Sequence, residues 1–146
     1  MLRVEESVMI NRPVAEVFAY VADMSTHPRW DAGCEEAAYA SPPPIAVGTR
    51  YRRTDRMFGR RYKTTGEVTA YEPNRKITWS ISGGMRGSAT LICEGVGNGT
   101  NVRGSFAAEM GRLSRLAEPL LALMMRRAAR TSVRNLKKQL EAAGRA

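Results

Sequence analysis

The segment from Arg112 to Ala143 constrains this chain most, because it reads as one long helix whose apolar face changes side partway along. Leu113, Leu116, Leu120 and Met124 recur at spacings of three and four, so they line one side. Met125, Ala129, Val133, Leu136 and Leu140 line another side, roughly 150° away at about 100° per residue. Between these stripes, Leu120 to Met125 is apolar all round. A single apolar stripe can rest on a flat sheet, but a stripe that shifts needs a partner that wraps the helix. A strongly curved sheet would do this, and it would leave a hollow against the helix, which is the expected seat of function. Pro119 lies inside the segment and is expected either to kink the helix or to mark its real beginning.

The rest of the chain can supply such a sheet. Val4, Val8 and Ile10 share one parity over Arg3 to Ile10, which reads as a strand. Asn11 is the expected N-cap of a short helix carrying Val14, Val17, Phe18 and Val21, with Pro13 near its first turn. A second short helix or turn is expected from Ser25 to Ala32, anchored by Trp30. Strands are then expected over Cys34 to Ala40, Gly48 to Met57, Arg61 to Tyr71, Lys76 to Ser82, Ser88 to Glu94 and Thr100 to Met110. Ser41-Pro42-Pro43-Pro44, Glu72-Pro73-Asn74, Gly83-Gly84 and the run Gly95 to Gly99 separate them as loops and turns. Consecutive short strands with short connections favour an antiparallel meander.

At 146 residues the chain has the size of one domain, spanning 1–146. No run of eighteen apolar residues is long enough to span a membrane. The first residues lack a secretory apolar stretch, and Cys34 and Cys93 match no metal or redox spacing, so reduced thiols and a cytoplasmic location are expected. The net charge of +9 is carried mostly by arginine, in one cluster from Arg50 to Lys63 and another from Arg126 to Lys138. Such a surface is either a solvated face or an attraction for nucleic acid or an anionic membrane. No HxxxH, HExxH or CxxC spacing is present, so neither a metal nor a cofactor is expected. The glycine-rich run Gly95 to Gly99 precedes a strand and does not read as a phosphate cradle.

Four local patterns carry a family resemblance. They are Ile10-Asn11-Arg12-Pro13-Val14-Ala15-Glu16-Val17-Phe18 followed by Val21-Ala22-Asp23; His27-Pro28-Arg29-Trp30; Val68 to Ile77 through Tyr71-Glu72-Pro73-Asn74; and Gly97-Asn98-Gly99-Thr100, with Asn135 to Glu141 at the end. In this order they resemble the SRPBCC superfamily, which includes START-type lipid-transfer domains, the birch-pollen-allergen fold and bacterial polyketide cyclase/dehydrase-like proteins. The resemblance implies an α+β helix-grip fold: a seven-stranded curved antiparallel sheet, two short helices after the first strand, and a long C-terminal helix with a ligand cavity beside it. It does not fix the activity, since one fold hosts many functions.

Strand parity indicates which side chains face the hollow. Ile77, Trp79 and Ile81 share one face, as do Tyr62, Thr64, Gly66 and Val68; Ala89, Leu91 and Cys93; and Val102, Gly104, Phe106 and Ala108. Gly66, Ala89, Gly104 and Ala108 are small and are expected to leave volume open, unless Trp79, Phe106 and the helix methionines fill it. The expected ligand-binding residues are Trp30, Tyr51, Tyr62, Val68, Trp79, Leu91, Phe106, Leu120 and Met124. Tyr51, Arg53, Asp55 and Met57 share one face of their strand, opposite a cationic face of Arg50, Arg52 and Arg56. Arg53 and Asp55 form either a polar handle on the cavity wall or a pair left in water. His27, the lone histidine, reads as a loop residue rather than a base. The leading expectation is a protein that binds, transports or senses a small hydrophobic ligand such as a lipid, an isoprenoid quinone or a polyketide-like compound. A cyclase, aromatase or dehydratase using Tyr51, Arg53, Asp55 and Tyr62 is the alternative. A basic-surface module for RNA, ribosome or anionic membrane is the third. Oligomeric state is left open.

Overall fold

The computed structural model describes residues 2–57, 59–83, 86–109 and 117–143. Seven strands form: β1 (Leu2–Ile10), β2 (Cys34–Tyr39), β3 (Arg50–Met57), β4 (Arg60–Glu72), β5 (Lys76–Gly83), β6 (Arg86–Val96) and β7 (Gly99–Glu109). They make one sheet in the order β1-β7-β6-β5-β4-β3-β2, with every neighbouring pair antiparallel. Three helices join it: α1 (Val14–Ala22), α2 (His27–Trp30) and α3 (Glu118–Ala143), with a 3-10 turn over Met24–Thr26 leading into α2. This is the helix-grip architecture that the resemblance implies. α1 and α2 carry the chain from β1 to the far edge of the sheet, and the meander then walks back until β7 lies beside β1.

Two irregularities bend the sheet. The pairing register slips between Cys34 and Glu36 on β2 and between Val68 and Ala70 on β4. An extra residue on one strand increases local twist and bends it. Gly66 permits close approach at the second bend: a Cβ there would overlap the Ser80 carbonyl oxygen and lie 2.8 Å from the Tyr51 ring. The β6–β7 hairpin turns on Gly97 and Asn98, and Gly97 takes φ 59° at the first central position. A positive φ there suits the right-handed twist of a tight hairpin.

The helices bury their apolar faces on one side of the sheet. Val17, Phe18 and Val21 of α1 join Ile10, Met24, Trp30, Val68, Ile77, Trp79, Val102, Leu136 and Leu140 in a single core. The N-cap of α1 is Pro13, not Asn11: its extended backbone (φ −60°, ψ 147°) places its carbonyl to accept from Val17 N at 3.0 Å. Asn11 lies two residues too early to cap. Pro13 has no side-chain acceptor, so the cap is a backbone one.

The long helix departs from expectation at its start. α3 begins at Glu118, so Pro119 stands in its first turn, where its missing N–H costs nothing. Arg112 to Leu116, expected as earlier turns, lie outside the described residues. Leu120 to Met125 is not enclosed all round. Leu120, Leu123 and Met124 are exposed, while Leu121, Ala122 and Met125 are half-buried. The inner stripe is the expected second one, Met125, Ala129, Val133, Leu136 and Leu140, with Ser132 added to it. α3 packs against β1 and α2.

Candidate functional site

Cross-strand partners in an antiparallel sheet share a face, so the register fixes which side chains look toward α3. Val4 pairs Phe106, which pairs Ala89, which pairs Trp79, which pairs Val68. Glu6 pairs Gly104, which pairs Leu91, which pairs Ile77. On the far strands Tyr51 pairs Gly66, Arg53 pairs Thr64, and Asp55 pairs Tyr62. Glu6 receives Arg130 of α3 at 3.1 Å, which identifies this face as the one the helix covers. Every residue that parity placed inward lies on it.

Burial is uneven along that face. Val68, Ile77, Trp79, Cys93, Val102 and Ala108 are fully buried. Ile81, Ala89, Leu91, Gly104 and Phe106 are half-buried, although no polar group interrupts them. The expectation that the small residues leave room is corrected at two positions. The Tyr51 ring lies over Gly66, and Leu91 Cδ2 would stand 3.2 Å from a Cβ at Gly104. Neighbouring side chains lean across to use the space a missing side chain provides.

The polar side of the site is a network built from three elements. Arg53 of β3 donates from Nε to Asp55 Oδ2 at 2.8 Å and from Nη2 to Asp55 Oδ1 at 2.6 Å, so it grips that carboxylate with two nitrogens. Nη2 also reaches Asp31 Oδ2, just after α2, at 2.7 Å. Arg53 Nη1 lies 3.3 Å from His27 Nδ1. Burial opposes the charged guanidinium, but Asp31 and the hydrogen-bonded Asp55 outweigh it and hold its pKa well above the usual arginine value. Ser132 of α3 completes the set. Its hydroxyl accepts from Ala32 N at 2.8 Å, and its single proton serves either Asp31 Oδ1 at 3.0 Å or the Ala128 carbonyl at 2.9 Å. Asn135 adds a donor to the Trp30 carbonyl at 3.2 Å. The network ties α2, β3 and the middle of α3 together.

His27 is buried, not a loop residue in water. It opens α2, with its ring 4.9 Å from Trp30 and edge-on to Trp79 at 5.4 Å. Nε2 lies 2.9 Å from the Val21 carbonyl, which can only accept, and Arg53 can only donate. The ring is therefore the neutral Nε2–H tautomer. Burial pushes its pKa below the ordinary 6.5.

The other sequence-selected residues fall into three groups. Trp30, Val68 and Trp79 pack in the core; Trp30 Nε1 donates to Thr26 Oγ1, and Trp79 Nε1 donates to the Tyr39 hydroxyl, which itself donates to the Ala22 carbonyl at 2.6 Å. Tyr51 is buried and donates to the Ser80 carbonyl at 2.6 Å; burial raises its pKa from 10.0 to about 12. Leu91 and Phe106 lie half-buried on the inner face, Tyr62 is 41% exposed at its rim, and Leu120 and Met124 point outward.

This geometry meets an independent comparison. The family model described as "Polyketide cyclase / dehydrase and lipid transport" matches residues 1–141. The chain belongs to this family. A curated relative, protein Rv0088 of Mycobacterium tuberculosis, is 36% identical over 85 residues, covering 58% of this chain and 38% of the relative. The matched stretch thus spans well under half of that protein. Among solved structures, TTHA0849 of Thermus thermophilus superposes with a TM-score of 0.83 at 17% identity, covering 97% of this chain and 98% of that one. The Zhui aromatase/cyclase of Streptomyces sp. R1128 gives 0.79 at 14% identity, covering 99% and 96%. A START superfamily protein of Mycobacterium smegmatis gives 0.79 at 13% identity, covering 98% and 99%. At these identities the likeness is one of fold.

As a polyketide cyclase/dehydrase and lipid-transport family member, the chain carries a polar cluster that strand parity reveals only in part. Arg53 and Asp55 are visible as an inward pair on one strand. Asp31, His27 and Ser132 are not, because Asp31 and His27 reach Arg53 from 22 and 26 residues away in sequence, and Ser132 joins through Asp31 from 101 residues away. The one available signal is negative. A serine at position 132, amid Met125, Ala129, Val133 and Leu136, interrupts an otherwise apolar stripe and needs a polar partner.

Proposed function

We propose that the protein binds a small, uncharged, predominantly apolar molecule between the inner face of the sheet and the N-terminal half of α3. One observation carries this reading: Ile81, Ala89, Leu91 and Phe106 form a continuous apolar surface on the helix-covered face, yet remain half-buried where their neighbours Trp79, Ile77 and Val102 are fully packed. Apolar surface left partly open inside a fold gains free energy when an apolar ligand covers it. Charge sets the ligand class. Within the sheet, the charged side chains of this face are Glu6, Arg53 and Asp55, and each already has an ion partner; Arg60 lies exposed at the hairpin tip. A ligand carboxylate or phosphate would lose its hydration without gaining a free cation there. A neutral lipid, a quinone or a fused-ring ketide fits these terms, with Tyr62 and Thr64 at the rim for a polar end.

A cyclase-type reaction has less support. Tyr51, Arg53 and Asp55 are engaged with protein partners, which leaves Tyr62 as the one exposed member of the candidate catalytic set. The test compares a long-chain alcohol with the carboxylate of equal chain length by isothermal titration. The alcohol is expected to bind at one site and the carboxylate more weakly. Ala89→Phe, which fills the proposed space, is expected to abolish alcohol binding. Equal binding of both compounds, or unchanged binding by Ala89→Phe, refutes the reading.

A further inference from the structure

The outward face of α3 changes character along its length. Leu120, Leu123 and Met124 are exposed to 60%, 46% and 38%, and they fall on one turn. Arg127, Thr131, Arg134 and Lys138 continue the same side of the helix, since at about 100° per residue all lie within roughly 60° of Leu120. All four are exposed. Nearby Arg130 is held by Glu6, and Lys137 is held by the Met9 carbonyl and Glu141. Arg127, Arg134 and Lys138 have no ion partner among the described residues. The stripe is therefore an apolar tip followed by free cations, on a chain whose net charge is +9.

We infer that this face of α3 docks the protein onto an anionic lipid bilayer, with Leu120, Leu123 and Met124 entering the acyl boundary and Arg127, Arg134 and Lys138 on the headgroups. An amphipathic helix binds an interface through buried apolar area plus attraction to anionic lipid, and this stripe supplies both. The helix lies on the membrane and does not cross it: among the described residues no helix is long and apolar enough to span. A nucleic acid fits less well, because the cations stand beside large aliphatic side chains with no aromatic ring to stack on a base. A second copy of the chain fits less well too. Three side chains on one turn fall far short of the ~800 Å² per partner of a stable interface, and the adjoining arginines would repel their counterparts. This inference is independent of the ligand reading.

Vesicle co-sedimentation tests it with the full chain, using phosphatidylcholine alone and phosphatidylcholine mixed with phosphatidylserine. The protein is expected to sediment with the mixed vesicles only, and less so as salt rises. Leu120→Ser with Leu123→Ser is expected to weaken binding about tenfold. Arg127→Glu with Arg134→Glu is expected to weaken it about tenfold or more, from roughly 1 kcal/mol per cation near an anionic surface. These positions are exposed, so circular dichroism melting is expected to match the parent chain. Equal sedimentation with both vesicle types overturns the inference. So does full vesicle binding by both double variants, or complete displacement by competing RNA with no sensitivity to the serine changes. A concentration-dependent dimer that disappears with the serine changes would assign the patch to a second copy instead, and overturns it equally.

Discussion

The two halves of α3 are the same helix under opposite conditions. From Ser132 onward it is anchored: Leu136 and Leu140 are buried to 1% and 2% exposure, Ser132 binds Asp31, and Asn135 binds the Trp30 carbonyl. Before Ala128 it is loosely held: Leu120, Leu123 and Met124 are exposed and its inward residues are only half-buried. The lesson is that apolar content does not decide burial along a helix. The apolar-rich half is the less buried one, because the polar network and the α1–α2 core grip the other end. A fold built this way is stiff at one end of its helix and has spare apolar surface at the other.

Substitutions that separate the halves should show it, most strongly in the anchored one. Leu136→Ala is expected to cost about 3–4 kcal/mol of unfolding free energy, as transfer loss plus a cavity in a packed core. Leu120→Ala should cost no more than about 0.5 kcal/mol, as an exposed position. Urea unfolding measures both, and equal losses would erase the distinction. Arg53→Ala is next. It strands Asp31 and Asp55, and is expected to cost about 3 kcal/mol, at the low end for a broken buried pair because the side chains keep some contact with water. Ser132→Ala should cost about 1 kcal/mol, since Ala32 N loses its acceptor while Asp31 keeps Arg53.

The pH dependence too comes from buried groups. His27 is neutral when folded and has its pKa lowered by burial, so its contribution is intact above pH 6.5 and is lost as pH falls below it. At the alkaline end the buried Cys34 and Cys93 thiols are raised from 9.0 to about 12, and Tyr39 and Tyr51 from 10.0 to about 12. These groups are protonated in the folded state at pH values where the unfolded chain ionises them. Stability is therefore held below about pH 9 and declines between 9 and 12. Melting temperature across pH checks both arms, and His27→Gln should flatten the acid arm. A melting temperature that rises on either side would contradict the assignment.

The sheet is legible in the sequence because antiparallel strands convert parity directly into a face. Ile77, Trp79, Leu91, Val102 and Phe106 were all readable from alternation, and turn residues bounded each strand. Three things escape such reading, each for a physical reason. Gly66 and Gly104 look like gaps, but only the register reveals that Tyr51 and Leu91 lean over them from neighbouring strands. His27 sits in a polar stretch of sequence, and its burial depends on Trp30 and on Trp79 from a distant strand. The run Leu120 to Met125 is apolar on every side, yet helical packing can bury only the side that faces a partner. Long-range pairing, not local composition, decides all three.

Xenon pressurisation of a crystal tests the central claim most directly, because xenon occupies apolar space that protein side chains leave open. The account predicts a xenon site, or density for a co-purified apolar molecule, bounded by Ile81, Ala89, Leu91 and Phe106 and facing the N-terminal half of α3. Side chains packed solidly over those four residues, with xenon absent there, would contradict it.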